Sequence, residues 1–307
     1  MPNKTAHVRV PCSTSNLGAG FDCVGIALDR WLDASVTSDP ARPGITVARA
    51  GTLTALGALS LGGDHLVTGF ARACRAAGVA PPDDLAFEVR SEIPVARGLG
   101  SSAASLVAGA MLADALLGLG LAAEALVSIV VAVDGHPDNA APIVLGGAVL
   151  AVPSPHGRGH AFSTLDVHPS LAFAIAVPDF ETSTQTARAV LPLGVSYRDA
   201  VAAVGKAAAL VRGLATGDGT LLAHALDDVL HVPYRRSLVR GYDAVVDAAR
   251  GAGALGASLS GSGSTVLAVT RPADAPAVAA AMAGAWHALG VPADGFVARI
   301  AEGARAV

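Results

Sequence analysis

The pattern of hydrophobic and polar positions divides the chain into short strands and helices. LAFEVRSEIP (85–94) alternates apolar and polar residues and stops at a proline, which is typical of a half-buried strand. DHLVTGFARACRAAG (64–78) is predicted as a helix that Asp64 opens and Gly78 closes. Strands are predicted at 7–11, 27–38, 85–94, 146–153, 171–178, 256–260, 264–270 and 295–300, and helices at 64–78, 101–117, 122–133, 184–190, 197–215, 219–230, 236–250 and 275–290.

The order of these elements predicts the fold class and the domain division. Strands and helices mix without strict βα alternation, which favours an α+β fold over a doubly wound parallel sheet. PSPHGRGH (153–160) is rich in proline, glycine and histidine and predicts the main boundary. We therefore expect an N-terminal domain at 1–155 and a C-terminal domain at 156–307.

Composition and charge exclude several classes of protein. Hydrophobic residues make up 52 % of the 307 residues and charged residues 15 %, which is a globular composition. A net charge of −4 with scattered Lys and Arg gives no basic face, so no nucleic-acid partner is expected. MPNKTAHVRV lacks the apolar segment of a secretory signal, and prolines and glycines interrupt the long uncharged run at 139–157. We expect a cytoplasmic protein with no membrane partner, whose thiols at Cys12, Cys23 and Cys74 are reduced.

A glycine- and serine-rich turn, PVARGLGSSAAS (94–105), predicts an anion site. A strand ends before it and a helix begins within it, so several backbone N–H groups and the positive end of the helix meet at one place. Ser101 and Ser102 add hydroxyls that suit phosphate oxygen or magnesium. The lysine of the phosphate loop G-x-x-x-x-G-K-[ST] is missing, and GLGSSA also fits the dinucleotide pattern G-x-G-x-x-A. A tight turn with serine caps remains the alternative.

Five further segments carry polar residues that could form a site, each with a simpler reading beside it. The segments at 11–29 and 133–142 also fit polar loops with Asx turns, and the segment at 258–269 also fits a hairpin turn. The arginines of the segments at 181–192 and 231–238 also fit solvated residues. An arginine can also bind a carboxylate through two hydrogen bonds. The segments are PCSTSNLGAGFDCVGIALD (11–29), VDGHPDNAAP (133–142), SLSGSGSTVLAV (258–269), ETSTQTARAVLP (181–192) and HVPYRRSL (231–238).

Taken in order, these segments resemble the three motifs of the GHMP kinase superfamily, from residue 8 to about 270. The motifs are Asn-Leu-Gly-x-Gly-Phe-Asp, Pro-x-x-x-Gly-Leu-Gly-Ser-Ser-Ala-Ala and Gly-Ser-Gly. The first segment, GHPDNAAP with the later Gly146-Gly147, and TARAVLP followed by PYR are most similar to the members that act on L-homoserine. The resemblance implies an N-terminal domain like ribosomal protein S5 domain 2 and a ferredoxin-like C-terminal domain, with the active site between them. It also implies ATP-dependent phosphorylation of the L-homoserine side-chain hydroxyl, a step of threonine biosynthesis, and a possible homodimer.

The resemblance assigns roles by position. Asp22 would bind the substrate ammonium and Arg188 and Arg235 its carboxylate. Asn139 stands where related kinases carry a carboxylate base, so catalysis would rest on alignment by Asn139 and Arg188, on magnesium and on loop dipoles. Ser102 and Asp134 would hold Mg²⁺, although relatives have glutamate at position 134. The implied ATP-binding residues are Pro94, Val95, Ala96, Arg97, Gly98, Leu99, Gly100, Ser101, Ser102, Ala103 and Ala104, and the implied substrate-binding residues are Asn16, Asp22, His136, Asn139, Thr184, Arg188 and Arg235.

Other functions remain open at this point. A GHMP-type kinase acting on another small alcohol is the nearest, although the first motif lacks the lysine of mevalonate kinases. An NAD-dependent oxidoreductase would use GLGSSA, with Asp134 as the ribose-binding acid. That acid lies more than 30 residues beyond the glycines, where about 20 are expected. A metabolite-binding relative without activity is the third alternative, and the intact glycine loop and Asp22 argue against it.

Overall fold

The computed structural model describes residues 4–155 and 159–307 and confirms the α+β class. Its larger sheet has seven strands in the order β11-β1-β2-β4-β3, while β5 pairs with β2 and β6. All pairs are antiparallel except β3 with β4. The strands are β1 (Lys4–Asn16), β2 (Gly20–Ser38), β3 (Thr46–Gly51), β4 (Leu85–Ser91), β5 (Ala148–Pro153), β6 (His160–Leu165) and β11 (Arg305–Ala306).

Four helices accompany this sheet, and the second carries the glycine loop at its start. α2 is largely apolar and mostly buried, as expected for a central helix. α1 crosses it closely because Gly69 and Gly109 lack side chains: a Cβ on Gly109 would lie 1.9 Å from the Leu66 carbonyl oxygen. The four helices are α1 (His65–Ala76), α2 (Ser101–Leu117), α3 (Ala123–Asp134) and α4 (Ala140–Leu145).

The second sheet is antiparallel, in the order β10-β7-β9-β8, and carries the remaining helices. Its strands are β7 (Ala172–Pro178), β8 (Gly256–Leu259), β9 (Val266–Thr270) and β10 (Ala293–Ala298). The helices are α5 (Thr184–Ala189), α6 (Tyr197–Thr216), α7 (Gly219–Leu226), α8 (Val232–Arg235), α9 (Tyr242–Gly251) and α10 (Ala275–Ala288).

Several predicted elements need correction. The helix predicted at 236–250 begins only at Tyr242, because Gly241 adopts φ +77° and separates it from the short α8. The helix predicted at 219–230 ends at Leu226, since the Asp228 carboxylate accepts from the N–H groups of the residues that lead into α8. The pattern did not predict β3, β6 or α4. The first two are half exposed, and α4 is six residues long with a proline in its first turn.

The predicted domain boundary falls at the edge of residues 156–158, which lie outside the described residues. On its far side β6 pairs with β5 and extends the larger sheet to Leu165. The end of the chain also returns to that sheet, where β11 pairs with β1. We therefore propose that the second domain starts after Leu165 and that the last residues belong structurally to the first.

Candidate active site

A cavity of about 860 Å³ lies between the glycine loop and three elements of the C-terminal half of the chain. Residues of β1, β2 and α2 line one side, and residues of α5, α8 and the β8–β9 turn line the other. All seven residues implied to bind the substrate line this cavity, and so do both residues implied to hold the metal. The folded chain therefore brings together groups that lie up to 219 positions apart, from Asn16 to Arg235.

The glycine loop presents the start of α2 to the cavity. Gly100 is the N-cap, in a left-handed conformation, and has no side chain to cap the helix. The first turn, Ser101–Ala103, therefore faces the cavity with N–H groups that an anion could accept from. The side chains of Leu99, Ala103 and Ala104 are buried in the core, so any contact of these implied ATP-binding residues with a nucleotide would come from their backbone groups.

The β8–β9 hairpin holds the loop from the other side. The Ser260 hydroxyl donates to the Gly98 carbonyl at 2.6 Å, and the Thr265 N–H donates to the Arg97 carbonyl at 3.1 Å. A Cβ on Gly98 would lie 2.2 Å from the Ser260 carbonyl oxygen, so only glycine allows this approach. The segment read as a hairpin turn is a hairpin turn, and it also buttresses the glycine loop.

Arg97 anchors the same loop rather than facing the anion site. Its guanidinium donates to the carbonyls of Val95, Pro178 and Asp179 and lies 3.2 Å from a Glu181 carboxylate oxygen. Pro178 ends β7, so Arg97 connects the glycine loop to the second sheet.

The first polar segment consists of the end of β1, a turn at 17–19 and the start of β2, and is not one continuous loop. Its serines continue β1 as far as Asn16, and their buried hydroxyls meet Asn139 instead of water. The Ser13 hydroxyl donates to Asn139 Oδ1 at 2.8 Å, and Asn139 Nδ2 donates to the Ser15 hydroxyl at 3.1 Å. These bonds fix the orientation of the Asn139 amide at the cavity wall.

Asp22 and Arg188 form an ion pair with each other. Nη1 of Arg188 donates to Oδ2 of Asp22 at 2.7 Å, and Nη2 donates to Oδ1 at 2.6 Å. Hydrogen bonding to Asp22 raises the pKa of Arg188. The two groups were predicted to bind opposite ends of a substrate, and that role remains a prediction. In the structure Asp22 and Arg188 are bound to each other, and each neutralises the charge of the other.

Arg235 is buried and lies beside this pair. It donates to the carbonyls of Ala187 and Gly261 and approaches Nδ1 of His231 at 3.4 Å. Burial, and next the charge of Arg188, lowers the pKa of Arg235. Burial lowers the pKa of His231 to about 4, so His231 is neutral near pH 7. The partners of Arg235 among the described residues are therefore uncharged.

Phe21 organises these basic groups and was not singled out in the sequence. Its ring stacks on His231 at 4.8 Å between centroids. The guanidinium carbons of Arg235 and Arg188 lie 4.9 and 5.5 Å from the ring centroid, within the range of cation–π attraction. Its place in Gly-Phe-Asp, next to Asp22, was the available signal.

Ser102 and Asp134 lie where a cation could meet the glycine loop. The Ser102 hydroxyl donates to Asp134 Oδ1 at 3.4 Å and is 3.1 Å from Nδ1 of His65, which the sequence reading did not single out. Burial raises the pKa of Asp134, and the nearby His136 and His65 oppose that shift. A hydroxyl and a half-buried carboxylate are oxygen donors of the kind Mg²⁺ prefers, so these residues fit a magnesium ion.

His136 and Asp138 form a second charged group near Asp22. His136 Nδ1 is hydrogen-bonded to Asp138, which also accepts from Asn139 Nδ2 at 3.4 Å. Burial lowers the pKa of His136, but the hydrogen bond and charge of Asp138 outweigh it and the net shift is upward. Ligand atoms of Asp22, His136 and Asp138 lie within 4.8 Å of one another, yet Asp22 and His136 already have the partners described above.

Comparison with known proteins defines the class. The family model "GHMP kinases N terminal domain" matches residues 65–147, and "GHMP kinases C terminal" matches residues 208–288. Together they span just over half of the chain, which makes it a GHMP kinase by class. The expected GHMP fold is confirmed. A mevalonate kinase from L. major shares that fold at 16 % identity, with a TM-score of 0.66 over 98 % of this chain and 96 % of that one.

Relatives narrow the class further. A homoserine kinase from Microchaete diplosiphon is 41 % identical over 94 % of this chain and 92 % of its own length, and one from Moorella thermoacetica is 41 % identical over 90 % and 92 %. The crystal structure of a homoserine kinase from Cytophaga hutchinsonii superposes with a TM-score of 0.87 at 29 % identity, covering 99 % of this chain and 98 % of that one. The chain belongs to the homoserine kinase family. In its described part, no helix is long and apolar enough to cross a bilayer.

Proposed function

We propose that this protein transfers the γ-phosphoryl group of ATP to the side-chain hydroxyl of L-homoserine, giving O-phospho-L-homoserine for threonine biosynthesis. One observation carries the proposal: an uncapped helix start and a cluster of two arginines and an aspartate line the same cavity. The first suits a polyphosphate and the second suits a small zwitterion. The family membership supports both halves of the assignment.

Some residues of the cavity would bind the phosphates and the substrate, and Asn139 would align the reacting hydroxyl. The N–H groups at the start of α2 would bind the phosphates, while Arg235 and Arg188 hold the amino acid end of the substrate. Asn139, fixed by Ser13 and Ser15, would orient the reacting hydroxyl toward the phosphates. An amide is not a base near pH 7, so the rate enhancement would come from positioning and from donors fixed around the developing charge.

Magnesium would be held by Ser102 and Asp134, and when bound it supplies positive charge to neutralise the phosphates. The homodimer implied by the resemblance and the cytoplasmic location stay predictions. Light scattering of the purified protein measures the first.

The decisive measurement is ADP release from Mg-ATP with L-homoserine, mevalonate, galactose, L-serine and L-threonine offered separately. We expect turnover with homoserine well above the other four. Preference for another alcohol would leave the fold and the phosphate site standing but would contradict the substrate. Binding of ATP without turnover of any of the five would contradict the activity itself.

A further inference from the structure

We propose that the Asp22–Arg188 ion pair is a selectivity device, which opens for a substrate that carries both an ammonium and a carboxylate and resists one that carries either alone. The inference rests on the proposed function, because it concerns how the same cavity chooses its alcohol. It makes Asp22 and Arg188 interdependent, whereas two separate subsites would act independently.

The pair occupies the groups that a substrate needs. Both oxygens of Asp22 and both terminal nitrogens of Arg188 are engaged, at 2.6 and 2.7 Å. Both residues line the cavity, and about two-thirds of each side chain is shielded from solvent. The pair uses two of the five N–H donors of Arg188 and one lone pair on each oxygen of Asp22, so a ligand that takes this bidentate face of either group must displace its partner.

The pair is also held in place from both sides. Asp22 has φ +57° and its N–H donates to Asn16 Oδ1 at 2.9 Å, which fixes the start of β2. On the other side, Ser183 caps α5, the helix that carries Arg188, and Arg188 lies over Phe21. A charge that is about two-thirds shielded and loses its partner in such a fixed setting is left poorly solvated, and that loss opposes binding.

A zwitterion avoids this loss. Its ammonium replaces the guanidinium at Asp22, and its carboxylate replaces Asp22 at Arg188, so one ion pair becomes two. Arg235 adds to the second pair, because its present partners are uncharged. An amine without a carboxylate leaves Arg188 unpaired, and a carboxylate without an amine leaves Asp22 unpaired. Selectivity of this kind arises from the penalty on the wrong ligand as much as from contacts with the right one.

The test uses two half-substrates, 4-hydroxybutyrate and 3-aminopropan-1-ol, with L-homoserine as reference. Dissociation constants are measured by ligand-observed NMR titration in the presence of ADP and Mg²⁺. In Asp22→Asn, Arg188 is released, so we expect 4-hydroxybutyrate to bind at least about tenfold more tightly than to the wild type while homoserine binds more weakly. In Arg188→Gln we expect 3-aminopropan-1-ol to gain in the same way.

Matched controls come from the exposed pair Arg236–Asp243, 3.4 Å apart. Arg236→Gln and Asp243→Asn should leave all three dissociation constants unchanged. If 4-hydroxybutyrate and 3-aminopropan-1-ol bind no more tightly to Asp22→Asn and Arg188→Gln than to the wild type, the subsites are independent and the proposal is overturned.

The result is separable from the proposed function. Failure of the wild type to phosphorylate homoserine would refute the function, whereas homoserine turnover without any gain of the half-substrates would refute the selectivity device alone. Circular dichroism shows whether each variant is folded. Asp22 fixes the start of β2, so Asp22→Asn could fail to fold. In that case the dissociation constant of 3-aminopropan-1-ol for Arg188→Gln still shows whether the half-substrate binds more tightly than to the wild type.

Discussion

Arg188 is the most informative single residue, because α5 places its positive charge in the wall of the cavity beside Asp22. Replacing it with alanine removes a carboxylate partner of the substrate and leaves Asp22 alone. We expect the KM for homoserine to rise roughly 30-fold, equivalent to about 2 kcal/mol, the low end for a truncated charge pair because the side chain is partly exposed. The KM for ATP should stay within about twofold in steady-state assays.

Arg236→Ala is the control for this change, since Arg236 is the next residue after Arg235 and pairs outside the cavity with Asp243. It should alter neither KM. A rise in the KM for ATP in Arg188→Ala, with the KM for homoserine unchanged, would mean that α5 serves the nucleotide and not the amino acid.

His231 predicts a pH dependence of stability. Burial lowers its pKa to about 4, so between pH 6.5 and 4 the unfolded chain binds a proton that the folded chain does not. The free energy of unfolding should therefore fall as the pH is lowered through this window, by about 3 kcal/mol from this residue. Urea denaturation at several pH values measures the slope.

His231→Gln should show a shallower slope over the same window, whatever its stability at pH 7. His224→Gln, at an exposed position of α7, should keep the wild-type slope. Equal slopes in the wild type and His231→Gln would show that His231 titrates alike in both states.

At the scale of elements, hydrogen bonds from the β8–β9 hairpin of the second sheet hold the glycine loop in position. Gly98→Ala would place a Cβ 2.2 Å from the Ser260 carbonyl at φ +80°, so loop and hairpin must separate. We expect ADP affinity, measured by calorimetry, to fall at least about tenfold, because the α2 N–H groups lose their fixed position.

Gly120→Ala is matched in backbone strain, at φ +68°, but has open space around its Cβ. It should lose some stability and keep wild-type ADP affinity. If both variants lose the same affinity, backbone strain alone explains the effect and the hairpin contact is unimportant.

The elements also show what sequence patterns can and cannot predict. α1, α2 and the glycine loop were predictable, because caps, glycines and periodicity act within a few residues. The strand character of Ser13–Asn16 was not, since its hydroxyls bond to Asn139, more than 120 positions away. The Asp22–Arg188 pair spans 166 positions and was predictable only as two separate ligands of a substrate. Local rules locate such groups, and tertiary contacts decide what they pair with.

At the scale of the whole molecule, the last residues tie the second domain's end to the first sheet. The Ala301 N–H donates to the Ala27 carbonyl, the Gly147 N–H to the Ala301 carbonyl and the Ala304 N–H to the Ile143 carbonyl, all within 2.9 Å, and β11 follows. Deleting residues 300–307 should lower the free energy of unfolding by at least about 3 kcal/mol, because these three bonds contribute about 1 kcal/mol each and the pairing of β11 and the Val307–His7 bond are lost with them. Hydrogen exchange should show lost protection in β1 and β2 and retained protection in β7 and β9.

Arg305→Ala is the control for the deletion. It removes the contact of Arg305 with the Trp31 ring, 5.3 Å from its centroid, but leaves the backbone bonds of the tail. It should keep protection in β1. Uniform loss of protection over both sheets in the deletion variant would mean that the molecule unfolds as one unit.

The return of the C-terminus to β1 has a consequence for biosynthesis. Ribosomes add about 5–20 residues per second, so roughly 15–60 s pass between the emergence of β1 and that of β11, which pairs with the edge of β1 at Val8 and Arg9. Throughout that time the nascent chain exposes unpaired strand N–H and C=O groups of the kind that join other chains. The first sheet lacks β11 until the ribosome has made Arg305 and Ala306, so we expect this edge of β1 to be a site where a chaperone protects the nascent chain.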